Sequence, residues 1–365
     1  MINRAGIGSD FGISQRGGYR PAWPSHSSKA QLGDAVLTAN GRAAIALAAR
    51  CLLQGASPQR TTVLVPAYLC PTMIQPFTEL DLTIQFYPVA DDLSTKPNQI
   101  LERVDEHTLA VMLLRYFGFD APIDIPLPLQ ANMPDLPIID DRTHHLLSDL
   151  KSGRALPAGV IAIYSVRKWA PVPDLGLVCW PRSAGPSPDS GWDWMFSRWR
   201  IADVVLRALF FQWPTEGLRR ASLYAYHRAE AVLDQRIRVR FPTPLSVLLW
   251  RFWDWPAACQ RRRENYLFLL NHWSSDDIVP IFPELPETVC PLGFPARTTE
   301  RDRFKQHLVA HGIFPPVHWP RPTLLTRGEF EPAERLYAQE LTIPIDQRYG
   351  TDDMEHILKA IECFA

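Results

Sequence analysis

A series of short, unbroken apolar runs in the first half of the chain constrains its fold more than any other feature. Helix-like segments separate these runs, and such alternation is typical of a mostly parallel β-sheet. The runs occupy residues 63–65, 82–87, 109–114, 137–140, 159–164 and 177–180. Because polar positions do not alternate within them, both faces of each strand should be covered by other parts of the protein. The sequence therefore predicts an α/β fold with a mostly parallel, mixed sheet.

The second half of the chain changes to longer helical segments and then returns to a mixed α/β pattern. We predict helices at 192–213, 216–236, 243–273 and near 301–311, and a strand at 341–345. The arginines at 261–263 are predicted to form a solvated helix face.

The length of the chain, 365 residues, is sufficient for one large and one smaller domain. Residues 1–30 are rich in Gly, Ser, Pro and Arg, so we predict an N-terminal arm there. A large domain is predicted at 31–250 and a small C-terminal α/β domain at 251–365.

Composition narrows the classes of partner and the compartment. Hydrophobic residues make up 46% and charged residues 21% of the chain, which is typical of a globular protein with a real core. The net charge of −1 gives no indication of nucleic acid or an anionic membrane as a partner. Charged residues within 192–213 argue against a membrane span there. The six cysteines are far apart and form no C-x-x-C pair, which favours a reduced, cytoplasmic setting over disulfides or a metal site.

Two of the predicted strands end in residues that suit one chemistry. One leads into Asp140-Asp141, and the next leads into Ser165-Val166-Arg167-Lys168. A lysine that apolar sequence carries into the interior loses its proton more readily and becomes a usable amine nucleophile. A carboxylate on a neighbouring strand end can hold a pyridinium nitrogen in its protonated form. Together they suggest the Schiff-base lysine and ring-nitrogen partner of a pyridoxal phosphate site; a solvated lysine and a pair of turn carboxylates are the alternatives.

The segment Ser165–Lys168 also matches the S-x-x-K pattern of serine β-lactamases and penicillin-binding proteins. That chemistry needs the serine and lysine one turn apart on a buried helix, followed later by a K-T-G strand. Here the motif ends a strand, and the only similar tripeptide, Lys151-Ser152-Gly153, precedes it. We reject this interpretation.

A phosphate group requires hydrogen-bond donors, and the start of the helix predicted at 43–54 offers them. The backbone N–H groups of Gly41 and Arg42 and the helix dipole suit a dianion, and a glycine permits close approach of the backbone. Ser165 can add a hydroxyl donor. The segment is not a G-x-G-x-x-G, so a dinucleotide fold receives little support. An ordinary helix cap and a strand-end serine are the alternatives.

Five segments, spread over most of the chain, together resemble one family. They are Asn40-Gly41-Arg42-Ala43-Ala44, Val65-Pro66-Ala67-Tyr68, Ile138-Ile139-Asp140-Asp141-Arg142-Thr143-His144, Tyr164-Ser165-Val166-Arg167-Lys168, and Leu341-Thr342-Ile343-Pro344-Ile345. In this order they resemble the DegT/StrS family of fold-type I pyridoxal phosphate aminotransferases, many of which aminate nucleotide-linked sugars.

The resemblance implies roles for individual residues. Lys168 would hold the cofactor, Asp141 would contact its pyridine nitrogen, and His144 would lie near its phenolic oxygen. The family's stacking aromatic falls near Cys70, so we predict Tyr68 in its place. His318, in the segment Pro316-Val317-His318-Trp319-Pro320, resembles a histidine close to the substrate in relatives; a packed loop histidine is the alternative.

The chain also departs from the family. The gap between the phosphate-binding serine and the lysine is shorter by about two residues. The Gly-x-Asn-x-Arg segment with which relatives reach a partner subunit's phosphate is not evident in the sequence. These departures bear on substrate specificity more than on cofactor binding.

The resemblance therefore implies transfer of an amino group from an amino acid, with glutamate as the expected donor, to a carbonyl acceptor such as a nucleotide-linked keto-sugar. It also implies a homodimer, and the aromatic residues at 192–213 suggest that this helix lies near the contact. Two alternatives stay open. One is a different outcome with the same cofactor, by elimination, replacement or condensation, and the other is a non-catalytic binding module with this fold.

Overall fold

The computed structural model describes residues 6–8, 35–120, 125–153, 155–181 and 185–364. Most of the arm predicted at 1–30 lies outside these ranges. The short piece at 6–8 pairs with the C-terminal part of the chain: the Ile7 N–H donates to the Gly312 carbonyl, and the Ile7 carbonyl accepts from the Phe314 N–H.

A seven-stranded sheet forms the centre of the part predicted as the large domain, in the order β1-β7-β6-β5-β4-β2-β3, and the domain bounds stay a prediction. Its strands are β1 (Val36–Thr38), β2 (Thr62–Pro66), β3 (Thr83–Tyr87), β4 (Thr108–Leu114), β5 (Ile138–Asp141), β6 (Val160–Ser165) and β7 (Gly176–Cys179). The strands β2 to β6 pair in parallel, whereas β7 is antiparallel to both β6 and β1. The predicted mostly parallel, mixed sheet is confirmed.

Six of these strands follow the predicted apolar runs to within a single residue at each end. All residues of β4, β5 and β6 are buried, as expected for strands covered on both faces. The sequence analysis missed β1, because three residues are too few to produce a periodic signal.

Helices cover the sheet and continue into the C-terminal part. They are Gly41–Gly55, Gln75–Thr78, Pro97–Leu101, Pro126–Asn132, Leu146–Ser152, Trp194–Gln212, Glu216–Gln235, Pro244–Arg251, Trp255–Asn271, Arg301–Ala310, Glu331–Gln339 and Thr351–Glu362. Single 3₁₀ turns occur at Pro71–Met73 and Val166–Lys168. Within the described ranges, no helix is both long and apolar enough to cross a membrane.

The single helix predicted at 243–273 is wrong, because the chain forms two helices there, Pro244–Arg251 and Trp255–Asn271. Asp254 begins the second helix by accepting a hydrogen bond from the Ala257 N–H. Pro256 stands in the first turn of that helix, a position where a missing N–H costs nothing. Inside one continuous helix the same proline would have removed a backbone hydrogen bond.

The solvated face predicted at 261–263 is also wrong in part. Arg261 is exposed, but Arg262 is 1% exposed and its guanidinium lies 4.9 Å from the centre of the Trp169 ring. Successive helical residues are rotated by about 100°, so three in a row cannot all face water beside a packed core.

The C-terminal part contains a small antiparallel sheet with the order β10-β11-β12. Its strands are β10 (Val279–Pro280), β11 (Phe294–Arg297) and β12 (Glu340–Ile343), and a separate pair is formed by β8 (Asp189–Trp192) and β9 (Arg240–Phe241). The Trp255–Asn271 helix contacts both the Thr351–Glu362 helix and the Leu146–Ser152 helix of the large domain. Side chains of the C-terminal part can therefore reach the edge of the central sheet.

Candidate active site

The ends of β5 and β6 bring the reactive residues of the sequence analysis together. These strands are parallel neighbours, so their carboxyl ends lie at one edge of the sheet, where α/β proteins bind ligands. β5 ends at Asp141, and β6 ends at Ser165 and continues through one 3₁₀ turn to Lys168. The Lys168 Nζ lies 2.9 Å from the His144 Nε2. Two residues from different loops therefore meet at a single contact.

Asp140 and Asp141 point to opposite sides of β5, as the pleat of a strand requires. Asp140 is fully buried between two arginines: its Oδ2 lies 3.0 Å from the Arg115 Nη2 and 2.9 Å from the Arg142 Nε. Burial opposes ionisation of Asp140, but the two guanidinium groups outweigh it and lower its pKa to about 2. Asp140 is a structural anion with its partners already in place.

Asp141 is 3% exposed, but no arginine forms an ion pair with it among the described residues. Its Oδ1 accepts the Thr143 N–H at 2.8 Å. Burial raises the pKa of Asp141, although Thr143 and the charge of Lys168 oppose the rise. A cationic ligand atom would therefore stabilise the charged form of Asp141. Asp140 already has two guanidinium groups beside it.

His144 is buried as a neutral imidazole. Burial lowers its pKa well below the ordinary value, and the nearby Lys168 and His318 add to the effect. The Phe117 N–H makes a long contact of 3.5 Å with Nδ1, which favours a ring proton on Nε2, the atom that faces Lys168. An Nε2 proton can be donated to Lys168 only when the lysine amine is uncharged, so this tautomer suits the neutral amine or an acceptor atom of a ligand.

The start of the Gly41–Gly55 helix lies against the ends of the same loops. Asn40 caps this helix by accepting the Ala43 N–H at 2.9 Å. A Cβ at Gly41 would lie 3.4 Å from the Ser165 Cβ and 3.9 Å from the Thr143 Oγ1. A glycine thus allows the N–H groups of the first turn and two hydroxyls to converge, as an anion site requires.

Arg42 belongs to this cradle only through its backbone. Its guanidinium pairs with Glu230 at 3.2 Å and with Asp234 at 2.7 Å on the Glu216–Gln235 helix. Arg167 also pairs with Glu230, at 2.7 Å, so this carboxylate connects both loops to one helix.

Tyr68 is fully buried in an aromatic cluster. Its ring packs against Tyr116, Trp319 and Tyr337, and its hydroxyl donates to the His318 carbonyl. The ring that stacks on His144 is Trp319, with centroids 5.5 Å apart and an interplanar angle of 29°. Stacking of Tyr68 on a cofactor stays a prediction, and Trp319 is a second aromatic candidate, which the sequence analysis named only as a neighbour of His318.

His318 reaches the site from the C-terminal part of the chain. Its ring packs edge-on against His144 at 5.6 Å and against Phe117 at 5.4 Å. The structure therefore brings His318 to the group that contacts Lys168, and its contact with a substrate stays a prediction.

Trp169, next to Lys168, is a site residue that the sequence analysis missed, because only its apolar character could have indicated it. Its indole N–H donates to the Thr143 carbonyl at 2.8 Å, and its own carbonyl accepts from the Gln347 Nε2 at 2.8 Å. It therefore connects the lysine loop to the Asp141–His144 loop and to the C-terminal part.

The residues present fit pyridoxal phosphate: an amine, a buried carboxylate without an arginine, a neutral imidazole, and a glycine-serine cradle at a helix start. Within the described ranges, no group of three His, Cys, Asp or Glu side chains is placed to hold a metal ion.

No protein-family model and no curated protein matches this chain. Solved structures do match, at low sequence identity. The sugar aminotransferase CalS13 from Micromonospora echinospora is 14% identical, with a TM-score of 0.64 over 92% of this chain and 89% of that one. PseC from Helicobacter pylori, an aminotransferase involved in the biosynthesis of pseudoaminic acid, is 13% identical, with a TM-score of 0.67 over 96% and 92%. Spr1654 from Streptococcus pneumoniae, in its PLP form, is 14% identical, with a TM-score of 0.66 over 96% and 92%.

These similarities define the class of fold. The chain has the fold-type I architecture of pyridoxal phosphate-dependent transferases, as the resemblance implied. CalS13, PseC and Spr1654 each match it over almost their whole length.

Proposed function

We propose that this protein is a pyridoxal phosphate-dependent aminotransferase in which Lys168 holds the cofactor. The observation that carries the proposal is the contact of Lys168 with His144 beside Asp141, a buried carboxylate with which no arginine of the described ranges forms an ion pair. The fold shared with sugar aminotransferases supports it, and so do the five segments that resemble the DegT/StrS family.

Each residue of the site has a role that its surroundings suit. The N–H groups at Gly41 and Arg42 and the Ser165 hydroxyl would bind the phosphate, and Asp141 would pair with the ring nitrogen. His144 would donate its Nε2 proton to the phenolic oxygen. When bound, the cofactor supplies an electron sink for charge that develops at the substrate α-carbon.

Lys168 would then act as the acid–base group. As a free amine, its Nζ would take the proton from the α-carbon of the donor as a base and give it back as an acid. His144, being neutral, adds no positive charge beside this amine. The Trp169 contacts to Thr143 and Gln347 hold the loop that carries Lys168.

For substrates, we propose glutamate as amino donor and a nucleotide-linked keto-sugar as acceptor. The support is that CalS13 is a sugar aminotransferase and that PseC acts in pseudoaminic acid biosynthesis. Elimination, replacement or condensation with the same cofactor remains the second candidate, favoured by the aromatic surroundings of the site at Trp319 and Phe117.

The active form is proposed to be a homodimer in the cytoplasm. Trp192, Trp194 and Met195 at the start of the Trp194–Gln212 helix, and Trp213 at its end, are each at least 46% exposed. Such a group of large apolar side chains suits a subunit interface better than water. The six cysteines, none of which forms a disulfide, suit a reducing compartment.

The test is a half-reaction followed by absorbance. The protein is loaded with pyridoxal phosphate, and glutamate should convert the visible band of the lysine-bound cofactor to the pyridoxamine form. Keto-sugar nucleotides, keto acids and simple aldehydes are then added separately. Return of the visible band with keto-sugar nucleotides supports the proposed acceptor. Return with keto acids or aldehydes alone contradicts the acceptor, and no conversion with any amino donor contradicts the transaminase.

A further inference from the structure

A buried carboxylate lies behind His318, outside the set of cofactor-binding residues. Glu340 begins β12 and is fully buried. Its Oε2 accepts the His318 backbone N–H at 2.7 Å, and its Oε1 accepts the Thr342 hydroxyl at 2.5 Å. Among the described residues no lysine or arginine pairs with it, and the nearest basic atom is the His318 Nδ1 at 3.9 Å. Burial of a carboxylate without a full counter-charge is costly, so Glu340 depends on the two hydrogen bonds that its oxygens accept.

The direction of the hydrogen bonds follows from the donor inventory of each group. When Glu340 is ionised, its carboxylate only accepts, so the single proton of the Thr342 hydroxyl goes to Glu340. The Thr342 oxygen can then act only as an acceptor toward the His318 Nδ1, which lies 2.8 Å away. Nδ1 must therefore carry a proton, and in the neutral imidazole Nε2 keeps its lone pair.

The Nε2 of His318 is available to a ligand. The His318 side chain is 14% exposed, and none of the residues that the structure describes forms a hydrogen bond with its Nε2. The ring packs against His144, whose own Nε2 contacts Lys168. The His318 Nε2, as a hydrogen-bond acceptor, therefore lies in the same site as the proposed reactive lysine.

We propose that Glu340 and Thr342 are positioning residues that hold His318 with its proton on Nδ1, so that Nε2 accepts a hydrogen bond from a hydroxyl of the carbonyl substrate. The tautomer follows from the protein alone, whereas the substrate class, a hydroxylated carbonyl compound, rests on the proposed function. A site that supplies an acceptor favours a hydroxyl-bearing compound over its deoxy counterpart.

The first test reads the tautomer directly. ¹⁵N-histidine NMR of the cofactor-loaded protein, with the His318→Asn spectrum used for assignment, should show a protonated Nδ1 and an unprotonated Nε2. Thr342→Ser keeps the hydroxyl and should preserve this pattern, whereas the isosteric Thr342→Val should lose it. A proton on Nε2 in the wild-type protein, or a wild-type pattern in Thr342→Val, would overturn the tautomer assignment.

The second test addresses the substrate class with two small probes. Glyceraldehyde and propanal are compared as acceptors for the pyridoxamine form, and the ratio of their rate constants is measured in each variant. The ratio should fall about tenfold in Thr342→Val, the equivalent of one hydrogen bond, and should be unchanged in Thr342→Ser. An equal ratio in wild type and Thr342→Val would overturn the hydroxyl assignment. If glutamate forms no pyridoxamine form at all, the proposed function fails and the substrate part falls with it, while the NMR result still decides the tautomer.

Discussion

The two sides of the β5 end differ in how completely their charges are paired. On the Asp140 side, Arg115 and Arg142 bind the carboxylate, and Arg142 continues to Asp149 at 2.5 Å. On the Asp141 side, the same kind of side chain has a backbone N–H and the charge of Lys168, and no arginine in the described part of the chain pairs with it. Two consecutive residues of one type thus serve different ends, because the strand pleat sends one into a finished ion-pair network and the other into a site that a ligand can complete.

The largest effect is expected for Asp140→Asn, which tests whether Asp140 is a structural residue. It leaves two buried guanidinium groups without their shared anion, so the free energy of unfolding should fall by about 3–5 kcal/mol. Urea or thermal denaturation measures the effect. A stability equal to that of the wild-type protein would contradict the assignment of Asp140 to the structural side.

Asp141→Asn should have the opposite profile. A neutral amide no longer favours a protonated ring nitrogen, so turnover should fall by at least about a hundredfold while some cofactor is still bound. The stability of the cofactor-free protein should stay unchanged or rise, since burial already disfavours the charged form of Asp141. Single-turnover kinetics and denaturation of both aspartate variants give the comparison. Equal kinetic losses in the two variants, or the reverse order, would mean that the roles of the carboxylates are exchanged.

A smaller effect is expected in the pH dependence of stability. The pKa of Asp140 is lowered in the folded state to about 2, so its contribution is present above the ordinary value near 4 and is lost as pH falls toward 2. This contribution amounts to about 2 kcal/mol. Urea midpoints measured across that range should fall more steeply for the wild-type protein than for Asp140→Asn. Parallel curves would show that the arginines do not stabilise the Asp140 anion.

The sheet was predictable from sequence because buried parallel strands leave continuous apolar runs, as β4 and β6 do. Lys168 and Asp141 could be proposed as site residues because each lies at the end of an apolar run, and Gly41 because it begins a helix. The different roles of Asp140 and Asp141 were assigned by resemblance, because the sequence does not show which carboxylate faces the arginine partners of Asp140, which lie 25 residues and two residues away.

Other parts of the site depend on tertiary contacts that have no local signature. The stacking of Trp319 on His144 joins residues that are distant in the sequence, and the burial of Arg262 depends on Trp169 lying beneath its guanidinium. The hydrogen bonds from Glu340 through Thr342 to His318 connect β12 to a loop 22 residues earlier. No periodicity or motif could have assigned these partners.

The most direct test of the proposed function is to identify the lysine that carries the cofactor. The protein is incubated with pyridoxal phosphate, reduced with borohydride, digested and mapped by mass spectrometry, with Lys168→Ala and Lys151→Ala treated in parallel. Lys151 is an exposed lysine on the neighbouring Leu146–Ser152 helix and serves as the matched control. We expect a reduced adduct on Lys168 in the wild-type protein and in Lys151→Ala, and no adduct in Lys168→Ala. A reducible adduct that persists in Lys168→Ala, or one that maps to another lysine in the wild-type protein, would contradict the proposed function.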